Sequence, residues 1–243
     1  MSEGIDSKHT PDVRSRGTRR RPWAACVVFA ATALAALCGC DGSFDGDGSN
    51  KINGSIEVPA GRTPGAVATV NGSIHIDDNA VVTSATTVNG SVHLGDHASA
   101  TLLSSVNGSI KLGDGAKVSG SASSVNGTFT LGDGADITGT LSNVNGRISL
   151  HSAHVGEGIK TVNGSMDITG TSRVEGGILV QKPTGELPDW IREVPRIVIG
   201  PGATVQGDLR FERTVQLYVS DKATIGAVSG ATPIPFSGDA PPN

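Results

Sequence analysis

The sequence predicts an all-β fold, a single-stranded three-sided parallel β-helix of about 18 residues per coil. Three observations carry this expectation. An aliphatic residue followed by Asn-Gly begins at Ile52, Val70, Val88, Val106, Val125, Val144 and Val162. The asparagines, Asn53, Asn71, Asn89, Asn107, Asn126, Asn145 and Asn163, therefore recur at intervals of 18, 18, 18, 19, 19 and 18. The composition, with 34 glycines and 3% aromatic residues in 243, suits thin coils with tight corners and is poor material for a globular enzyme core.

A shorter period of six runs inside the repeat. Aliphatic residues recur at Val70, Ile76, Val82, Val88, Leu94, Ala100, Val106, Leu112 and Val118; after a phase shift of one they resume at Val125, Leu131, Ile137, Val144 and Leu150. Four residues after each stands a second small or apolar side chain, as at Ile74, Ala80, Thr86, Val92, Ala98 and Ser104 and on to Ala122, Phe129 and Leu141. Both sets are expected to point inward. Three hexads then walk once round a triangular section.

Magnitudes explain why such coils must stack. A coil buries about six inward side chains at roughly 1.5–3 kcal/mol for each larger one. Ordering its backbone costs on the order of 1–2 kcal/mol per residue. A lone coil does not fold, whereas stacking at about 4.8 Å pairs every strand and merges the inward residues into one column. Gly at the corner accepts positive φ and Asn tolerates it. The stacked asparagines are expected to hydrogen-bond up the corner as a structural ladder. Asn-Gly is also a hairpin signal, but hairpins need turns every 8–12 residues and this turn returns only every 18 or 19. Right-handed winding is favoured by the rule for parallel crossovers.

Taken in order, residues 1–39 read as an export signal. A basic stretch ending in Arg19, Arg20 and Arg21 precedes an apolar run from Trp23 to Gly39. The ending Leu37-Cys38-Gly39-Cys40 resembles the lipobox of bacterial lipoproteins. That resemblance implies cleavage before Cys40, lipidation of Cys40, and a membrane partner reached through the acyl chains, which together anchor stably. Cys26 and Cys38 leave with the signal, so no intrachain disulfide remains. Removing the six basic and three acidic residues before Cys40 leaves 13 basic and 20 acidic, a charge of −7. Nothing here points to nucleic acid. The expected location is the bacterial cell envelope, and Asp41 resembles a signal that retains some lipoproteins in the inner membrane, leaving inner and outer membrane both open.

Residues 40–50 are a flexible tether, rich in Asp, Gly and Ser. Asp41, Ser43 and Asp45 alternate as in a calcium loop, but the twelfth position is Ile52 where a bidentate Glu is needed. Residues 51–180 form the repeat region. Its second corner carries Asp78, Asp96, Asp114 and Asp133 in one register. The first reading of this row is that each Asp closes its own turn; the second is a cation or basic partner along it. His75 and His93 are expected outward one coil apart, in a column continuing as Lys111, Thr130, Ser149 and Asp167, which reads as a solvated face. His97, His151 and His154 are placed in turns. No metal site, no cofactor and no catalytic set is expected.

Residues 181–196, with Pro183, Pro188, Trp190 and Pro195, read as a loop extruded from the stack, with Trp190 and Ile191 folding back on it. Residues 197–230 return to the solenoid. Ile197 to Phe211 is similar to the coils of bactofilins, polymer-forming proteins with a three-sided β-helix and no cofactor. The Asn-Gly-Ser-Ile units resemble a family of adhesin-like proteins with β-solenoid repeats. The hexads also resemble the left-handed helix of acyltransferases, but the export signal and the lack of a long cleft loop and C-terminal helix depart from that family. Residues 231–243 are a Pro-rich tail, expected to cover the last coil without extending the ladder. The function expected is a non-catalytic envelope lipoprotein, a scaffold or adhesin-like surface for a protein, a polysaccharide or another copy. A bactofilin-like polymer comes second and an acyltransferase third.

Overall fold

The computed structural model describes residues 49–183 and 194–242. The leader, Cys40, the tether before Ser49, and the centre of the 181–196 insertion with Trp190 and Ile191 lie outside the described residues. Among the described residues every element is a strand, and the strands pair in parallel about 18 residues apart to make a β-solenoid of about ten turns. Asn53, Asn71, Asn89 and Asn107 are successive Cα partners, and the column continues through Asn126, Asn145 and Asn163.

The side following the Asn-Gly corner is built from short strands such as Ile74–Ile76, Val92–Leu94 and Ile110–Leu112. Each reads apolar, polar, apolar, which at a period of two puts both aliphatic residues inside. Ile74, Val92, Ile110, Phe129, Ile148 and Met166 stack as one inward column, and all are fully buried. The next side contributes Ala and a β-branched partner, as at Ala80 with Val82 and Ala116 with Val118. The small residue fits where the corner narrows the section. The ladder closes across the insertion, because Met166 pairs with Ile197 and Ile178 with Leu209, so the extra chain length between them adds no rung.

The third side corrects the expected inward set. The valines before Asn-Gly, expected in the core, are half-buried on the exterior at Val70, Val88, Val106, Val125, Val144 and Val162, and Ile52 is exposed. The residue before each valine is the buried one: Thr69, Thr87, Ser105, Ser124, Asn143 and Thr161. Thr86 also turns outward, half-buried between buried Ala85 and Thr87, whereas Ser104 in the same register is buried as expected, at 6% exposure. The physical reason is strand alternation. Ala85 and Leu103 point inward, so Thr87 and Ser105 two residues later must do the same.

Both ends differ from the middle. At the first coil Lys51 takes the position beneath Thr69, an inward column, yet it is exposed and its Nζ donates to Ser55 O at 2.7 Å. At the last coil the tail adds one rung after all, correcting the expectation that it leaves the ladder: Pro233–Phe236 is a strand paired with Gln216–Ser220. Asp221 N–H donates to Phe236 O, so Ile234 and Phe236 turn their peptide groups toward the coil beneath. Pro233 and Pro235 fall at the alternate positions facing away, where proline has no N–H to offer.

Candidate functional surfaces

The Asn-Gly corner is a continuous hydrogen-bonded edge. Asn71 Nδ2 donates to Asn53 Oδ1 at 3.0 Å, and the bond recurs from Asn89 to Asn71, Asn107 to Asn89, Asn126 to Asn107, Asn145 to Asn126 and Asn163 to Asn145 at 2.8–3.0 Å. All donors face the same way along the stack. Arg213 meets the top of the row, with Nη1 donating to Asn163 Oδ1 and to Val162 O. The expected structural ladder is therefore present, and Arg213 is the member that the sequence did not reveal.

Beneath the ladder lies a buried polar column. Thr69 Oγ1 donates to Gly54 O at 3.0 Å, Thr87 Oγ1 to Gly72 O at 2.9 Å and Ser105 Oγ to Gly90 O at 3.2 Å, while Asn143 Nδ2 donates to Gly127 O at 3.0 Å. Each satisfies a carbonyl that the corner would otherwise bury unpaired, a loss of about 1–3 kcal/mol. Where the Asn-Gly corner ends, the same column turns apolar at Val180 and Phe211. The corner glycines are held by close approach rather than by positive φ in most coils: a Cβ on Gly90 would lie 1.9 Å from Gly72 O.

The second corner is where left-handed backbone occurs, at Asn79, His97, Gly115, Gly134 and Ser152. Its acidic row is in register as expected, but the carboxylates of Asp78, Asp96 and Asp114 each close the coil above rather than their own turn. Asp96 N–H donates to Asp78 Oδ1, Asp114 N–H to Asp96 Oδ1 and Asp133 N–H to Asp114 Oδ1, at 2.8–2.9 Å. Three of the four carboxylates thus accept from the backbone of the next coil, Asp133 Oδ1 instead lies 3.5 Å from His151 Nε2, and all four residues remain exposed. Among the described residues no three His, Cys, Asp or Glu side chains converge as a metal site.

His75 and His93 stack with ring centroids 4.6 Å apart and planes 11° from parallel, and His75 Nε2 is 3.1 Å from Asp77 Oδ1. Burial, then the neighbouring His75 and Lys111, hold His93 below its ordinary pKa of 6.5, with Asp96 and Asp78 opposing in part. His151 ends the Thr140–His151 strand and His154 lies on the His154–Val155 strand, neither in a turn; His154 is bracketed by Asp136 at Nδ1 and Glu175 at 3.5 Å from Nε2. Arg173 Nε pairs with the same Glu175 at 3.1 Å. Asp136 and His154 are separated by one repeat length, so the period itself was the signal that would have found this pair.

A hollow of about 290 Å³ lies over Gly176 and Gly177, rimmed by Glu157, Lys160, Asp208 and Arg210. Its lining holds no Ser, Cys, His or Tyr. The chemistry on offer is thus mixed charge over a glycine floor. Cys40, the expected lipidation site, lies outside the described residues. No family model matches the chain, and neither the curated proteins nor the solved structures include a similar one.

Proposed function

We propose that this chain is a non-catalytic, membrane-anchored envelope lipoprotein whose β-solenoid is a scaffold or adhesin-like binding surface. The observation that carries the reading is the ending Leu37-Cys38-Gly39-Cys40 after a basic and then apolar leader, with the repeat beginning shortly afterwards at Ile52. In this reading Cys40 holds the acyl chains, the Asp-Gly-Ser tether spaces the column from the membrane, and binding takes place on the exterior. The ladders support it. The side chains in register along the corners bond to neighbouring coils, an arrangement that keeps a long surface regular.

The polymer reading rests on the bactofilin-like coils from Ile197 to Phe211. Growth end to end requires both terminal coils to accept another rung. Lys51 in an inward column at one end and Pro233 and Pro235 facing away at the other both disfavour that. The test of the lipoprotein reading is Cys40→Ser. We expect loss of acyl labelling and release of the protein from the membrane fraction. Unchanged labelling and fractionation in that variant would discard the anchor.

A further inference from the structure

The asparagines of the corner share one column and one following residue, yet their chemistry differs from coil to coil. In Asn-Gly the backbone nitrogen of the glycine, unhindered by a Cβ, is free to attack the side-chain amide before it once the backbone turns out of the strand. The ladder opposes that reaction in the inner coils. Asn71, Asn89, Asn107, Asn126 and Asn145 each donate through Nδ2 to the asparagine below and accept at Oδ1 from the one above, while Asn163 donates to Asn145 and accepts from Arg213. The glycine nitrogens are engaged as well. Gly72, Gly90, Gly108 and Gly127 donate to Asn89 O, Asn107 O, Asn126 O and Asn145 O at 3.0–3.1 Å.

Asn53 stands apart. Its Oδ1 accepts from Asn71, but its Nδ2 has no hydrogen-bond partner among the described residues. Gly54 N–H donates to Asn71 O at 2.9 Å, so the attack needs a local opening here too, but the strand Ser49–Asn53 is paired on one side only. An edge coil opens more readily than the middle of a stack. Asn53 and Gly54 are both exposed, whereas Gly72, Gly90, Gly108 and Gly127 are half-buried. Gly146 is exposed as well, yet its coil has a rung on each side. Lys51 adds a cation beside the lowest corner, its Nζ 2.7 Å from Ser55 O.

We propose that Asn53 is a modification site, at which the chain converts its own side-chain amide to a carboxylate while the asparagines above it are protected. Gly54 N bonds to Asn53 Cγ and gives up its proton, and the side-chain nitrogen leaves as ammonia, closing a succinimide. Water then opens the ring, at Cγ to give aspartate or at the α-carbonyl to give isoaspartate. The net step is a hydrolysis, with no oxidant or reductant. The ladder accommodates the aspartate product here and not above. The lowest position only accepts, and a carboxylate accepts more strongly from Asn71 Nδ2, with the Lys51 ammonium at the same corner. At an inner position the carboxylate sets an oxygen against the Oδ1 beneath it and the donor is lost. The proposal rests on the direction of the ladder and does not depend on the lipid anchor.

The test is peptide mapping by mass spectrometry of the full chain, held folded in detergent at mildly alkaline pH and, in parallel, unfolded in urea. In urea the Asn-Gly sites should react at similar rates, since glycine follows each asparagine. In the folded chain Asn53 should convert at least about fivefold faster than any other, because every inner site has a further hydrogen bond to open. Thermal melts check the product: Asn53→Asp should leave the midpoint close to wild type, and Asn107→Asp should lower it or prevent folding. The proposal is overturned by equal rates along the folded column, by an inner site reacting first, or by an Asn53 that survives while the urea sample is consumed. Equal losses of midpoint in the two variants overturn it as well. Failure of the anchor reading shows separately, in the acyl labelling of Cys40.

Discussion

Arg213 Nη1 donates to the side-chain oxygen of Asn163, 50 residues earlier in the chain, and so completes the asparagine row at the coil where the repeat is interrupted. Each amide in the row donates downward and accepts from above, so the dipoles add and the upper end is an unfilled acceptor. A guanidinium there supplies both the missing donor and a favourable charge. Arg213→Ala should lower unfolding stability by about 1.5–3 kcal/mol in urea titrations. Arg213→Lys should recover part of it. Within the row, Asn107→Ala removes two side-chain bonds and Asn53→Ala only one, so the first should cost about twice the second. Equal effects at the two positions would contradict a directional ladder.

Two glycines separate close approach from backbone conformation. Gly90 has an ordinary φ, but a Cβ there would meet Gly72 O at 1.9 Å, and neither strand can retreat without breaking the ladder. Gly90→Ala should cost about 3 kcal/mol or more and reduce soluble yield. Gly61 has φ +68° with nothing near its Cβ position. Gly61→Ala should cost only about 1 kcal/mol, the penalty of left-handed backbone. Chemical denaturation of the pair decides it; comparable losses would mean that the corner glycines serve conformation after all.

His93 gives the fold an acid-sensitive point. Its folded pKa lies below 6.5 because burial disfavours the imidazolium and His75 and Lys111 repel it. In the unfolded chain the ring takes its proton near 6.5, so between the two values the unfolded state binds more protons and stability falls as pH falls. Above 6.5 both states are neutral and the penalty is absent. Below the folded value it is complete. His93→Gln should flatten that part of the stability–pH curve while leaving stability near pH 8 little changed. A curve superimposable on wild type from pH 7 to pH 5 would remove His93 from the account.

The architecture was legible because its cause is a period. Asn71 and Asn89 sit one repeat apart in the chain and one rung apart in space, so counting along the sequence located the corner and the acidic row together. Which side of the wall a residue faces was harder to read. Thr86 and Val88 looked like core, yet the pleat and the Gly72 carbonyl inside the corner put Thr87 there instead. Hydrophobicity alone does not report where a turn leaves an unpaired carbonyl. Arg213 left no local signal, since its partner becomes adjacent only once the insertion after Val180 is closed over.

Asn143 tests the buried polar column directly. It occupies the position held elsewhere by Thr69, Thr87, Ser105 and Ser124, and its Nδ2 takes over their task by donating to Gly127 O. An amide brings a second polar atom, however. Asn143 Oδ1 is buried and has no hydrogen-bond partner among the described residues. An orphaned acceptor of this type costs about 1–3 kcal/mol, whereas a hydroxyl keeps the useful bond and leaves no second group to satisfy. Asn143→Thr should therefore stabilise the protein, by about 1 kcal/mol once the smaller side chain's lost packing is subtracted. Asn143→Val, of similar shape but without a donor, should destabilise it by leaving Gly127 O unpaired. Opposite signs for these two substitutions in urea unfolding are the expected result; a loss in both would mean that the amide fills space the hydroxyl cannot, and that packing rather than carbonyl satisfaction sets this column.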